Sequence, residues 1–192
     1  MNQELILASE SRYKKKILDR LHIAFSTTAP WIDETPGSGE SARALSRRLA
    51  QQKVETVANR HPNAIVISTD QAAEVNGIVL GKPGTQQNAR AMLHKLSGKT
   101  VSFFTSIGMI QPNASCLIHT EEVIVTLRQL EDREITRYVK ADMPLDCAGS
   151  FKVESLGISL FKSVKSEDPT ALEGLPLIQL CQWLRDQGIE IP

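Results

Sequence analysis

The chain has 192 residues, 41% hydrophobic and 23% charged, so it can bury a core, and its length suits a single domain over residues 1–192. Lysine plus arginine and aspartate plus glutamate both number 22, so the chain has no excess of positive charge. We therefore expect no nucleic-acid partner. The first apolar run is too short for a signal peptide and no membrane-length run occurs, so we expect a cytoplasmic protein without a membrane partner.

The cysteines and histidines of the chain do not show the spacings of a metal-binding motif. Cys116, Cys147 and Cys181 lack any C-x-x-C spacing, so we expect reduced core residues rather than disulfides or a zinc site. The four histidines are scattered, without an H-E-x-x-H pair. A bound metal would need oxygen ligands, which favours Mg²⁺ or Mn²⁺ over zinc.

Hydrophobic periodicity predicts alternating strands and helices in the first half of the chain. Residues 4–8 and 64–69 are predicted to be buried strands, and residues 12–21 and 39–59 are predicted to be helices. Asn76-Gly77 is the dipeptide of a two-residue hairpin turn. Thr85 is predicted to cap a helix that stops at Ser97-Gly98.

The second half of the chain is predicted to consist mainly of paired strands. Residues 101–110 and 116–127 are predicted strands, residues 131–140 a helix, and the stretch up to residue 161 a broken strand. Pro176 opens a last helix that Gly188 ends. Early alternation followed by later hairpins predicts an α/β fold with a mixed, twisted sheet flanked by helices.

One predicted hairpin brings an acid and a base together. Asp70 follows the strand 64–69, and counting outward from the turn pairs Gln71 with Lys82. Because ligands of α/β sheets bind outside the carboxyl ends of strands, these three residues are candidates for a site. The alternative is an ordinary surface loop. The sequence GIVLGKP is not a P-loop, since that motif needs one more residue and a hydroxyl after the lysine.

Three further segments can add charge to such a site, and each has a plainer alternative. Lys53 lies on the apolar stripe of the helix 39–59, so it either faces a cleft or extends out of the core into water. Ser9, Ser11 and Lys14 lie where a helix start can receive phosphate, or they only cap a solvated helix. Glu34 lies in an acidic turn that is either part of the site or simply solvated.

Cationic groups for a polyphosphate and carboxylates for a hard metal indicate phosphoryl or nucleotidyl transfer. The same segments resemble the signature of the Maf nucleotide pyrophosphatases over nearly the whole chain. The matching motifs are LILAS-x-S at 5–11, DETP at 33–36, LA-x-x-K at 49–53, TDQ at 69–71, GKP at 81–83 and CAGSFK-x-E at 147–154. The resemblance implies two lobes with a central cleft, similar to inosine triphosphatase, and metal-dependent hydrolysis of a nucleoside triphosphate between its α and β phosphates.

The resemblance also implies roles for individual residues. Asp70 would be the general base or the metal-linked activator of water, and Glu34 a second acidic group near the metal. Lys53 and Lys82 would bind the phosphates. Many relatives carry arginine where this chain has lysine in the phosphate turn, and lysine lacks the bidentate fork of arginine. The residues that would line this turn are Ser9, Ser11 and Lys14.

Gln71 and the motif that ends at Glu154 resemble the branch of the family that acts on 7-methyl-GTP, since the dTTP and UTP branch differs at both residues. This chain departs from that branch at Tyr13, where relatives often carry tryptophan, and tyrosine stacks more weakly on a base. N7-methylguanine is a cation, so the Tyr13 ring can attract it while Glu154 accepts from the guanine N1-H and amine. The plainer alternatives are a half-buried helix residue for Tyr13 and a surface strand residue for Glu154.

Two other functions remain open at this point. One is a pyrophosphatase for dTTP, UTP or another non-canonical nucleotide. The other is a nucleotide-binding regulator without turnover, since the family has also been linked to cell division. The resemblance allows a homodimer, because relatives are often dimers.

Overall fold

The computed structural model describes residues 3–191 and is built around one seven-stranded sheet. The strands are β1 (Leu5–Leu7), β2 (Ser26–Thr27), β3 (Ile65–Val75), β4 (Ile78–Leu80), β5 (Thr100–Ile110), β6 (Leu117–Leu127) and β7 (Phe161–Lys165). The helices are α1 (Arg12–Leu18), α2 (Ala42–Ala58), α3 (Gln86–Leu96), α4 (Asp132–Asp142) and α5 (Leu177–Asp186). The strand order is β2-β1-β3-β5-β6-β7, and β4 pairs with β3.

The sheet is mixed, as predicted. β1 runs parallel to β2 and β3, whereas β3 is antiparallel to β4 and β5, β5 to β6, and β6 to β7. The hairpin turn is confirmed as well, because Val75 pairs with Ile78 across Asn76 and Gly77. Both turn residues have positive φ values, 51° and 75°, which a type I′ turn requires.

The prediction that β3 ends at Thr69 is wrong. The strand continues to Val75 because its ladder with β5 is unbroken, and Asp70 pairs there with Ser106. On the other edge of β3, pairing with β1 stops at Ile67 and pairing with β4 starts at Ala73. Asp70 therefore lies inside a strand whose edge is open between these two partners.

The predicted pairing of Gln71 with Lys82 is also wrong. The last pair between β3 and β4 is Ala73 with Leu80, after which the chain leaves the sheet at Gly81. Lys82 consequently lies in the loop that follows β4. The count from the turn gave the correct register, but it could not show where the ladder stops.

Several element boundaries also differ from the prediction. α1 ends at Leu18 and a 3-10 turn follows at Asp19–Leu21, while α2 is shorter than residues 39–59 at both ends. The predicted broken strand before residue 161 is instead two 3-10 turns, Ala148–Ser150 and Leu156–Leu160. Left-handed backbone at Gly149 and Ser150 interrupts extended structure there.

Hydrophobic clusters divide one face of the sheet into two halves. α2 covers the other face, where its Val54 and Val57 pack against Ile6 and Val66. On the divided face, Leu5 and Leu7 pack against α1 and α5, whereas Phe103 packs in a separate cluster with α3 and α4. This division gives the two lobes that the resemblance implies.

Successive side chains along the open part of β3 point to opposite faces of the sheet. The Ser68 hydroxyl donates to the Ala50 carbonyl of α2, and Asp70 contacts Lys53 of the same helix. The Thr69 hydroxyl donates to the Gly174 carbonyl on the divided face. Asp70 is therefore directed towards α2.

The remaining general predictions concern cysteines and membranes. Cys116, Cys147 and Cys181 are free thiols, but all three are half-buried rather than in the core. Within residues 3–191, none of the helices is both long and apolar enough to span a bilayer.

Candidate active site

A cleft of about 450 Å³ opens at the open edge of β3 and is lined from both faces of the sheet, with Lys53 on the α2 side and Phe103 and Phe151 on the divided face. Its walls come from the turn before α1, the loop before α2, β3, the loop after β4 and the segment 146–154. Every residue that the sequence analysis selected lines this one cleft: Ser9, Ser11, Tyr13, Lys14, Glu34, Lys53, Asp70, Gln71, Lys82 and Glu154.

Two carboxylates converge on one buried amine in the cleft. Lys53 Nζ lies 2.6 Å from Asp70 Oδ1 and 2.7 Å from Glu34 Oε1. Lys53 is only 5% exposed and Asp70 only 7% exposed, so the lysine does not extend out into water. Of the two alternatives for Lys53, the structure shows the one that faces a cleft.

The helix and the loop that hold this group are fixed on both sides. Lys53 follows Leu45 and Leu49 on the buried stripe of α2, which sets its direction towards β3. The loop that carries Glu34 is held by Arg48, whose Nη2 donates to the Thr35 carbonyl at 3.0 Å. Long-range packing, rather than local sequence, brings the three charges together.

The contacts of Lys53 with the two carboxylates favour the charged forms of Lys53 and Glu34. Burial alone would lower the pKa of Lys53, but the Asp70 carboxylate and then Glu34 raise that pKa above its ordinary value. Burial likewise opposes ionisation of Glu34, yet the hydrogen bond from Lys53 holds the Glu34 pKa below its ordinary value. Lys53 and Glu34 are therefore charged at neutral pH.

Lys14 approaches Asp70 from the other side of the cleft. Its Nζ donates to the Thr69 carbonyl, the residue before Asp70. Burial lowers the pKa of Lys14 to about 8, although the negative charge of Asp70 opposes this effect. Lys14 is thus a cation at neutral pH and begins to lose its charge slightly above it.

The serine turn before α1 has hydroxyl protons left to donate. Ser9 Oγ accepts from the Ser11 amide at 3.1 Å, and Ser11 Oγ accepts from the Lys14 amide and so caps α1. Each hydroxyl acts here as an acceptor, which leaves its own O–H for a phosphate oxygen. Lys82 is exposed in the loop that follows β4.

A second group of cleft residues, which we call the aromatic and acidic end, contains Tyr13 and Glu154. The Tyr13 ring has the Arg12 guanidinium carbon 5.0 Å from its centroid. Glu154 is exposed on the loop that follows Phe151, and the Phe151 ring is packed against Phe103 and Phe161. A flat, polar-edged group would have both a ring and a carboxylate available at this end.

Gln71 is held by the turn at Pro169–Glu173. Its Nε2 lies 3.0 Å from both the Thr105 hydroxyl and the Ala171 carbonyl, and 3.1 Å from the Leu172 carbonyl. Because carbonyl oxygens accept only, this arrangement places Nε2 on the protein side and leaves Oε1 as the group that can serve a ligand.

Sequence reasoning missed several cleft residues. Trp31, Asp146 and Glu173 line the cleft, but the first two lie in irregular structure and Glu173 lies in a short 3-10 turn, so none has a periodic signal. Asp146 directly precedes the CAGSFK motif, and Phe151 lies inside it, so the neighbourhood of that motif was the available signal.

The oxygen atoms of Asp70 and Glu34 suit a hard divalent cation. Each carboxylate uses one oxygen on Lys53, and the second oxygen of each remains available. Across residues 3–191, no group of three or more His, Cys, Asp or Glu side chains is placed to hold a metal. Mg²⁺ is commonly bound by one or two carboxylates together with substrate phosphates, so the residues fit a metal that arrives with its ligand.

Comparison with known proteins gives one consistent result along the chain. The family model described as Maf-like protein matches residues 4–187. A protein of Xanthomonas oryzae pv. oryzae named 7-methyl-GTP pyrophosphatase is 49% identical over 193 residues, covering 100% of both chains. One of the same name from Pseudomonas aeruginosa is 47% identical, covering 98% of this chain and 99% of its own length.

Two solved structures share the fold. The Ham1 protein of Staphylococcus aureus has a TM-score of 0.54 and 16% identity, covering 96% of this chain and 100% of its own. A HAM1 protein from Coxiella burnetii has a TM-score of 0.54 and 18% identity, covering 96% and 99%. At these identities the likeness supports the architecture alone.

Proposed function

Because the chain belongs to the Maf-like protein family, we propose that it hydrolyses 7-methyl-GTP to 7-methyl-GMP and pyrophosphate. The observation that carries the reaction is the meeting of Asp70, Lys53 and Glu34 inside the cleft. Nearly half of the residues are identical, over the full length, to proteins named for this substrate.

The triphosphate would occupy the end of the cleft that holds the lysines. Lys14, Lys53 and Lys82 supply three positive charges there, and the hydroxyls of Ser9 and Ser11 can donate to phosphate oxygens. Lys53 is already oriented by two carboxylates, so it needs no reorganisation when the phosphates bind.

In the chemical step, water attacks phosphorus at the bridge between the α and β phosphates. A new P–O bond forms to the water oxygen, and the bridging P–O bond breaks, which releases 7-methyl-GMP and pyrophosphate. Asp70 accepts the water proton on Oδ2, since Oδ1 is bonded to Lys53. Which of the two phosphorus atoms is attacked depends on how deeply the triphosphate enters.

Glu34 would hold Mg²⁺ or Mn²⁺ through its second oxygen, together with the substrate phosphates. If Asp70 Oδ2 instead held the ion as a second ligand, Asp70 would activate water through the ion rather than accept its proton directly. Such an ion supplies charge neutralisation on the phosphates and lowers the pKa of bound water. Lys53 keeps the two carboxylates together in its absence.

The base would lie at the aromatic and acidic end. Tyr13 offers a ring to the cationic N7-methylguanine, and Glu154 accepts from the guanine N1-H and exocyclic amine. Gln71 Oε1 can accept a further hydrogen bond, while its nitrogen fixes the turn beneath it. We also propose a cytoplasmic location. A homodimer is compatible with this function, because relatives are often dimers.

A panel of triphosphates with pyrophosphate detection tests this function. We expect Mg²⁺-dependent pyrophosphate release that is fastest with 7-methyl-GTP and slower with GTP, dTTP and UTP. A faster reaction with dTTP or UTP would contradict the substrate. Binding of a nucleotide by titration calorimetry without any pyrophosphate would contradict the enzymatic function and indicate a nucleotide-binding regulator.

A further inference from the structure

Two carboxylates at the base end of the cleft have no structural role. In the part of the chain that the structure describes, Asp146 accepts only a weak bond from the Cys147 thiol, at 3.5 Å. Glu154 accepts no hydrogen bond from residues 3–191, and neither carboxylate forms an ion pair with them. Both are exposed and line the cleft.

Nearby carboxylates that do have structural roles look different. The two carboxylate oxygens of Glu173 each accept a hydrogen bond from one terminal nitrogen of Arg20. Asp168 accepts from the Thr170 amide and hydroxyl and from the Ile178 amide, and so fixes the start of α5. Both oxygens of Glu173 and both oxygens of Asp168 accept hydrogen bonds, whereas Asp146 and Glu154 remain available to a ligand.

The negative charges of Asp146 and Glu154 both affect the same neighbour, Cys147. Burial and then the negative charges of Asp146 and Glu154 raise the pKa of the Cys147 thiol to about 12. Arg12 lies within electrostatic reach of Asp146, but its guanidinium donates to the Tyr13 hydroxyl instead. The three cleft lysines therefore lie around Asp70 and Glu34. Arg12 and Arg20 are the cations within electrostatic reach of Asp146 and Glu154, and neither forms an ion pair with these two carboxylates.

We propose that Asp146 is a specificity-determining residue that, beside Glu154, makes the base end of the cleft favour a positively charged base over a neutral one. The inference rests on the proposed function, because it takes a nucleotide base to lie between Tyr13 and Glu154. Glu154 can accept from the edge of any guanine, methylated or not. A second negative charge adds attraction that only the methylated, cationic base experiences.

Replacing Asp146 with asparagine removes the charge and keeps the shape. We expect Asp146→Asn to lower the ratio of kcat/KM for 7-methyl-GTP to that for GTP by about 1.5-fold to fivefold, the range for an exposed charge pair. The loss should appear in KM for 7-methyl-GTP, with kcat unchanged. Asp146→Lys should lower the ratio further. Asp19→Asn is the matched control, since Asp19 is exposed and lies outside the cleft lining.

Kinetics below neutral pH, where the methylated base keeps its charge, give the ratio for each variant. Added salt should reduce the preference of the wild type towards that of Asp146→Asn, because exposed charges are screened. An unchanged ratio in Asp146→Asn, or an equal loss for both substrates, would overturn the inference and leave the proposed function intact. Absence of 7-methyl-GTP hydrolysis in the wild type would instead overturn the proposed function, and this inference with it.

Discussion

Replacing Lys53 with methionine should destabilise the protein through the charge it leaves behind. Lys53 is 5% exposed and bonded to Asp70 at 2.6 Å, so methionine fills its space but leaves the Asp70 carboxylate buried without its cation. Breaking a buried pair costs about 3–5 kcal/mol, and we expect the lower end because Glu34 is half exposed and can be rehydrated. For a chain of this size, about 3 kcal/mol lowers Tm by roughly 6–12 °C.

A double-mutant cycle separates this effect from ordinary loss of packing. Asp70→Asn alone should cost less, since Lys53 keeps its contact with Glu34. The double variant Lys53→Met/Asp70→Asn removes both charges and should recover about 2 kcal/mol relative to Lys53→Met, measured by urea unfolding with circular dichroism. A Lys53→Met protein as stable as the wild type, or a double variant with purely additive losses, would refute the claim that these charges are coupled in a buried site.

Two further predictions concern pH and base recognition. Lys14 has a pKa of about 8, so its charge is present below that pH and lost above it, and the wild-type kcat/KM should fall as pH rises past about 8. Lys14→Arg keeps its charge and should remove this fall, measured as the ratio of the two enzymes so that titration of the base cancels; parallel profiles would contradict the role of Lys14. Glu154→Gln should weaken turnover of 7-methyl-GTP more than that of UTP, because a neutral amide cannot accept from both guanine donors, and an equal loss for both substrates would show that Glu154 does not read the base.

Local patterns were enough to predict most elements. Asn76-Gly77 fixed the first hairpin because few residue pairs accept positive φ at both positions. Thr85 was found as a helix cap because its hydroxyl accepts from the Asn88 amide, a local interaction within four residues. The mixed sheet followed from the order of strands and helices.

Long-range pairing was beyond the reach of the sequence pattern. Asp70 and Gln71 look like the end of a strand because the apolar run stops at Thr69, yet β5 continues to pair with them. The opening in the sheet edge arises because pairing with β1 stops at Ile67 and pairing with β4 starts only at Ala73, and neither limit is marked in the local sequence. The site is located by this gap.

Candidate residues were easier to select than their partners. The apolar stripe marked Lys53 as unusual, but its two partners come from a loop and a strand that packing brings together. Asp146 gave no signal besides its position next to the CAGSFK motif, since an exposed aspartate in a loop resembles any other. Its significance lies in having only a weak thiol donor and no ion pair among residues 3–191, which follows from the three-dimensional structure alone.

Pyrophosphate release from 7-methyl-GTP by Asp70→Asn is the most direct measurement of the central claim, that Asp70 activates water in this cleft. Asparagine cannot accept the proton from water, and removing an acid or base of this kind typically costs 10²–10⁴-fold in rate. We predict a loss of about that size in kcat at saturating Mg²⁺, with the circular dichroism of a folded protein. Turnover by folded Asp70→Asn at the wild-type rate would contradict the account.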